Sequence, residues 1–375
     1  MTEIKAKNKA FEVFLLFLKL GTISFGGPAA HIALMEEEVV QKRKWVSEAY
    51  FLDLLSVTNL VPGPNAMEMA LHLSYCHAGW IGQLLGGLAF MVPAASISLL
   101  LAMIYVQWGS LPAVEAFFFG INPVIVAIVF FSAYRLGKES YKKKPMMVLG
   151  VVCLVAALLD VNEALILLGA GAVGLLLYWL PRMPKGVAGV LWLGPWLRDD
   201  PPVNLMTLWL YFLKVGALLF GSGMVLFAFI QQDVVAHFGW LTEQQLLDAI
   251  AVGQMSPGPV ASSVTFIGYL VAGLPGALLA TLGIITPSFL IVTLMSKLLP
   301  VLQRSKAVQA FLGGVNAGVV ALIISVGVAL LRTALTDVWS VFIFAVACAL
   351  RLFTKVETIW LVLGGALLGF LLWGI

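Results

Sequence analysis

The stretch Asn59-Leu60-Val61-Pro62-Gly63-Pro64-Asn65 decides how this chain is read, because its core returns 195 residues later within Gln254-Met255-Ser256-Pro257-Gly258-Pro259-Val260. Two prolines around a glycine cannot continue a helix: N–H donors are missing and each ring clashes with the preceding turn. At the same offset Phe17-Leu18-Lys19-Leu20-Gly21 returns as Phe212-Leu213-Lys214-Val215-Gly216, and Phe25-Gly26 returns as Phe220-Gly221. Trp45, Glu48 and Asp53 meet Trp240, Glu243 and Asp248. One residue then drops out, and at an offset of 194 Gly79, Gly82, Pro93, Gly120 and Asn122 meet Gly273, Gly276, Pro287, Gly314 and Asn316. A match of this length is a tandem duplication. The first repeat is assigned to residues 1–180 and the second to 206–375, with a linker at 181–205 rich in proline, arginine and glycine.

Of the 375 residues, 61% are hydrophobic and 11% charged, and the mean hydropathy is +1.01. A soluble globular chain carries about 25% charged residues, so a water-soluble enzyme and a disordered chain are excluded. The 22 Lys and Arg against 19 Asp and Glu give a net charge of only +3, which leaves no basic face for nucleic acid. Cys76, Cys153 and Cys348 lie in apolar runs without ligand spacing and read as small buried hydrophobes. No cofactor and no metal site are expected. Lys5, Lys7 and Lys9 before the apolar run 11–20 resemble a secretory leader, but the recurrence of that run places it in the mature fold.

These properties predict an all-α polytopic membrane protein with two homologous repeats broken at Pro-Gly-Pro, and roughly 10–14 membrane segments. The clear crossings are 78–107 and 113–136, with 272–299 and 307–331 as counterparts. Loop charge adds an orientation, because cytoplasmic loops collect Lys and Arg. Residues 41–44 carry three positive charges and 135–144 carry five against one Glu, while 107–112 carry none. In the second half 236–239 have no Lys or Arg, 297–306 have three and 332–337 net to zero. Equivalent loops are opposite in bias, the pattern expected of inverted repeats in a secondary transporter.

Broken backbone survives in lipid only where it is buried in protein or lines a cavity. Helices restarting at Asn65 and Val260 present free N–H groups and positive dipole, which suits an anion; a kink or a tight surface loop is the plain alternative. The candidate substrate-binding residues are therefore Pro62, Gly63, Pro64 and Asn65 with Ser256, Pro257, Gly258 and Pro259. Gly26 and Gly27 before Pro28, matched by Gly221 and Ser222 before Gly223, form a second pair of breaks that supplies amides or close packing. Asn122 and Asn316 join them as a matched polar pair. Lys19 and Lys214 sit in the middle of apolar helices, where a lysine attracts an anion or snorkels to the interface. For proton coupling the candidates are Glu68 and His72, which share a helix face at i, i+4, and Asp53 and Asp248. A plain hydrogen-bonded pair and interfacial charges are the respective alternatives. Trp108, Trp179, Trp192, Trp196 and Trp373 fit interfacial belts.

On Phe25-Gly26-Gly27-Pro28 with His31, Pro62-Gly63-Pro64, Gly79-Trp80-x-Gly82 and Pro93, the chain resembles the chromate ion transporter family in its long, two-domain form. The second half adds Gln254-Met255-Ser256-Pro257-Gly258-Pro259 with Gly273 and Gly276. The resemblance implies a multi-pass protein of the bacterial inner membrane that exports chromate by alternating access, coupled to the proton gradient or the membrane potential. Transport of sulfate or another small oxyanion, and an anion channel, are the alternatives. A membrane-embedded enzyme is disfavoured, because no nucleophile–base or metal constellation recurs. The partners implied are the oxyanion and membrane lipids, with a homodimer as an option, and no nucleic acid.

Overall fold

The structure, a computed structural model, describes residues 2–24, 28–58, 63–142, 144–179, 204–220, 222–295, 305–354 and 356–373. The linker from 181 to 203, with Trp192 and Trp196, lies outside them, as do Asn59, Pro62, Gly26, Gly27 and Gly221. Helix accounts for 87% of the structure, and no strand occurs among the described residues. The first half runs α1 (Thr2–Ile23), α2 (Pro28–Glu36) with a π-helical turn at Glu37–Lys42, α3 (Glu48–Thr58), α4 (Asn65–Trp108), α5 (Pro112–Ser140), α6 (Lys144–Leu158) and α7 (Glu163–Trp179). The second half repeats the order: α8 (Leu205–Leu218), α9 (Val225–Phe229) running into a π-helical turn at Ile230–His237, α10 (Glu243–Met255), a 3-10 turn at Val260–Ser262 leading into α11 (Ser263–Met295), then α12 (Lys306–Ala334), α13 (Val338–Phe353) and α14 (Thr358–Leu372). Local sequence sets many of these starts. Thr242 and Gln245 form a reciprocal capping box at α10, and Asp337 and Ser340 form one at α13.

Both long helices that follow the Pro-Gly-Pro triplets fold back on themselves. In α4 the reversal is at Ala78 and Gly79, the latter at φ 64°, and in α11 at Ala272 and Gly273, the latter at φ 61°. Positive φ strains any residue with a Cβ, so glycine is the residue that fits. The limb at 65–77 is about 20 Å long at 1.5 Å per residue, against a hydrocarbon core of about 30 Å. It therefore cannot cross alone, and it packs antiparallel on its own continuation. Gly86 lies against Ser74 and Gly276 against Gly268, and Thr265 and Thr281 share a hydroxyl hydrogen bond of 2.7 Å.

Within each half the first helix packs on this hairpin, α1 on α4 and α8 on α11. The final helices instead cross between halves: α7 packs on α12, and α14 packs on α5. Small residues allow that approach. A Cβ at Gly120 would strike the carbonyl of Gly365, and one at Gly314 would strike that of Ala170. The two sequence repeats are thus interlocked in space. Four helices, α4, α5, α11 with its 3-10 lead-in, and α12, have the length and hydropathy to cross a membrane, and six shorter apolar helices accompany them among the described residues. The outer faces of α6 and α14 expose Val148, Val151, Val152, Leu367, Phe370 and Leu371, which is the surface of a multi-pass membrane protein.

Candidate functional site

Each Pro-Gly-Pro triplet is held by the other half. Gly63 donates its N–H to the Leu219 carbonyl at 2.6 Å, and Gly258 donates to the Ser24 carbonyl at 2.8 Å. Ser24 and Leu219 are themselves 195 apart, so one contact is made twice by the duplication. It fastens each triplet to the point where the opposite half's first helix ends. The two glycine amides are thereby used, and proline has none to offer. The donors left for a ligand are those of the first helical turns after each triplet, together with nearby side chains.

Those first turns meet in one cavity of about 210 Å³; a single water needs roughly 10–15 Å³. Pro64, Asn65 and Ala66 enter it from the first break, and Pro259 and Val260 from the second. Ser222 and Gly223 bring the break after α8, and His31 and Gln254 add polar side chains. His31 is 1% exposed, faces the Ser24 carbonyl through Nε2 at 3.0 Å, and has no partner at Nδ1.

Two arginines complete the wall, Arg135 from α5 and Arg351 from α13. Arg351 donates through Nη1 to the Val356 carbonyl at 2.6 Å and lies over the Phe131 ring at 4.7 Å. Its Nε is buried without a partner. Among the described residues neither arginine forms an ion pair with a carboxylate, although Glu139 also lines the cavity. Two guanidinium groups and two helix N-termini therefore converge on one space, an arrangement suited to a small anion with several oxygen atoms.

A family model described as "Chromate transporter" matches the chain twice, over residues 11–175 and 206–370. The chain belongs to the chromate transporter family. This is a family of transporters and not of enzymes. The chain is 31% identical to a chromate transport protein of Cupriavidus metallidurans over 96% of its length and 92% of the relative's. It is 33% identical to a probable chromate transport protein of Synechococcus elongatus, covering 86% of the chain and 84% of the relative. A chromate transport protein of Pseudomonas aeruginosa is 31% identical over 83% of the chain and 79% of its own length. No solved structure matches the chain.

In this chromate transporter family member the residues singled out from sequence fall into separate groups. Pro64, Asn65, Pro259 and Ser222 line the basic cavity. Ser256 is buried beside it in sequence, with its hydroxyl 2.9 Å from that of Ser262. Lys19 and Lys214 do not line the cavity. Lys19 donates to Glu38 at 2.7 Å and Lys214 to Asp233 at 2.9 Å, and Glu38 and Asp233 are again 195 apart. The Lys19 ammonium, donating to Glu38, holds that carboxyl below the usual range.

Asp248 and Asn122 meet at a separate cavity of about 380 Å³. Asp248 accepts from the Tyr105 hydroxyl at 2.7 Å, Gln244 at 3.0 Å and Asn122 at 3.1 Å, so it is fully caged, while its counterpart Asp53 is exposed. Asn316 is half-buried on α12. Glu68 is completely buried, has no hydrogen-bond partner at either oxygen, and with Ser288 occupies the space that a Cβ on Gly63 would need. His72, one turn on, is buried with Nε2 unpartnered, so the two do not form a hydrogen-bonded pair. The arginines escaped the sequence reading. Arg135 was counted with a positive loop, and Arg351 reaches the cavity only because α13 packs on α5 of the other half.

Proposed function

We propose that the chain is a secondary transporter that exports chromate, or a tetrahedral oxyanion of the same class, from the cytoplasm across a bacterial inner membrane. The observation that carries this reading is the single cavity into which both broken helices open together with Arg135 and Arg351. A dianion there meets charge-assisted hydrogen bonds contributing roughly 1.5–3 kcal/mol each, and a few suffice for micromolar-range binding, about 8 kcal/mol. The names of the relatives supply chromate as the substrate. Family membership and opposite loop charges support two inverted halves working by alternating access, coupled to the proton gradient or the membrane potential. Lipids cover the exposed apolar faces of α6 and α14, and the same faces offer the surface for a homodimer. Sulfate shares the shape and charge of chromate, so it is the alternative substrate that the cavity favours.

Purified protein in proteoliposomes tests the class. Vesicles under an imposed proton gradient, with the membrane potential clamped at zero, should accumulate chromate above the external concentration, with sulfate competing. Equilibration that never exceeds the electrochemical balance of the anion itself would identify a channel and overturn the transporter reading.

A further inference from the structure

A second cavity, of about 100 Å³, stands where the repeat offset carries the α5 and α13 wall of the basic one. Ile128, Phe131 and Arg135 of α5 correspond to Leu322, Ser325 and Ala329 of α12, and Arg351 corresponds to Ala157. Glu163 opens α7 as Thr358 opens α14, at an offset of 195; at 194 its counterpart is Glu357, which does not line the basic cavity. Both arginines are thus replaced by alanine and a carboxyl group is added. No Lys or Arg lines this second cavity, whereas Asp160 and Glu163 do.

Glu163 is the group whose place needs a reason. It is 1% exposed, neither carboxyl oxygen has a hydrogen-bond partner, and no described cation stands within ion-pair distance. An ionised carboxylate left this way is costly, whereas a protonated one gains an O–H donor. An acceptor is at hand, because Gln231 lines the same cavity with a buried Oε1 that also lacks a partner. The charged and titratable groups that face Glu163 are Asp160 on the preceding turn, Asp233 with its partner Lys214, and the Tyr211 hydroxyl. From α12 only Ser325 contributes a polar side chain to the cavity. One cation among several acids leaves surroundings that accept a proton, and Glu163 lines a cavity with room for water. The long helices that wall the two cavities touch directly, with Gly327 of α12 against the Phe130 ring of α5.

We propose that Glu163 is the proton-binding site of the transport cycle, exchanging its proton with water through the second cavity. Through the α5–α12 contact, protonation there biases the arrangement of the basic cavity that holds the anion. The inference rests on the transport reading above and adds the group that carries the coupling.

The test uses the whole protein in proteoliposomes with radiolabelled chromate, in two modes measured side by side: accumulation driven by an imposed pH gradient, and chromate–chromate exchange without a gradient. Glu163→Gln should lower gradient-driven accumulation at least about tenfold, equivalent to about 1.4 kcal/mol, while exchange stays within about twofold. Glu163→Asp should keep the gradient drive. Gradient-driven accumulation that survives in Glu163→Gln overturns the proposal, and so does loss of both modes in a well-folded variant. Absence of exchange in the unaltered protein overturns the transport reading itself, and this inference with it.

Discussion

Two cavities that share one duplicated wall differ in charge. The one at the helix breaks is walled by Arg135 and Arg351; the other has Ala329 and Ala157 at those positions and is lined by Asp160 and Glu163. Elsewhere the halves are closely matched. Gly63 and Gly258 donate to Leu219 and Ser24 in the same way, Gly79 and Gly273 reverse their helices at nearly the same φ, and Lys19 and Lys214 pair with Glu38 and Asp233. Repeated residues build the scaffold twice, and diverged residues assign different tasks to its two copies. Asp248, caged by three donors, and its exposed counterpart Asp53 follow the same division.

The comparison breaks most readily at the arginines. Arg351→Gln or Arg135→Gln should raise the chromate concentration for half-maximal transport roughly 10- to 100-fold, the equivalent of one charge-assisted hydrogen bond of 1.5–3 kcal/mol. Arg351→Lys should recover only part of it, because an ammonium cannot donate a planar fork to two oxygens or stack on Phe131 as a guanidinium does. Unchanged kinetics in the double variant would show that the charge difference between the cavities has no part in binding. The smallest effect belongs to the residues that repeat. Lys19→Met and Lys214→Met each remove a half-exposed ion pair, worth about 0–1 kcal/mol. Each should cost a few degrees of melting temperature at most, with transport affinity within about twofold. A large affinity loss in either would return the lysines to the anion path.

The fold was legible because the duplication wrote it twice. Proline supplied the breaks, glycine supplied the reversals at Gly79 and Gly273, and hydropathy supplied the long helices. The helix that carries the apolar run 11–20 extends from Thr2 to Ile23, since residues 2–10 contain nothing that stops a helix. The interlocking of the halves was not legible. It depends on α7 and α14 reaching across to α12 and α5, contacts between residues far apart in sequence that no local pattern encodes. The site was half legible for the same reason. Pro64, Asn65 and Pro259 announce themselves by backbone chemistry, whereas an arginine such as Arg351 at the end of an apolar helix looks like an interfacial anchor until tertiary packing turns it inward. Gly63 and Gly258, expected among the binding residues, have their own amides bonded to the opposite half, so the donors left are those of the helix starts.

The most direct test of the account is the position of bound chromate, read from chromium anomalous scattering in crystals of the protein soaked with the anion. The predicted result is one peak in the basic cavity, within hydrogen-bonding reach of Arg351 and of the first helical turns after Pro64 and Pro259. A peak in the acidic cavity beside Glu163, or beside Lys19 or Lys214, would contradict it.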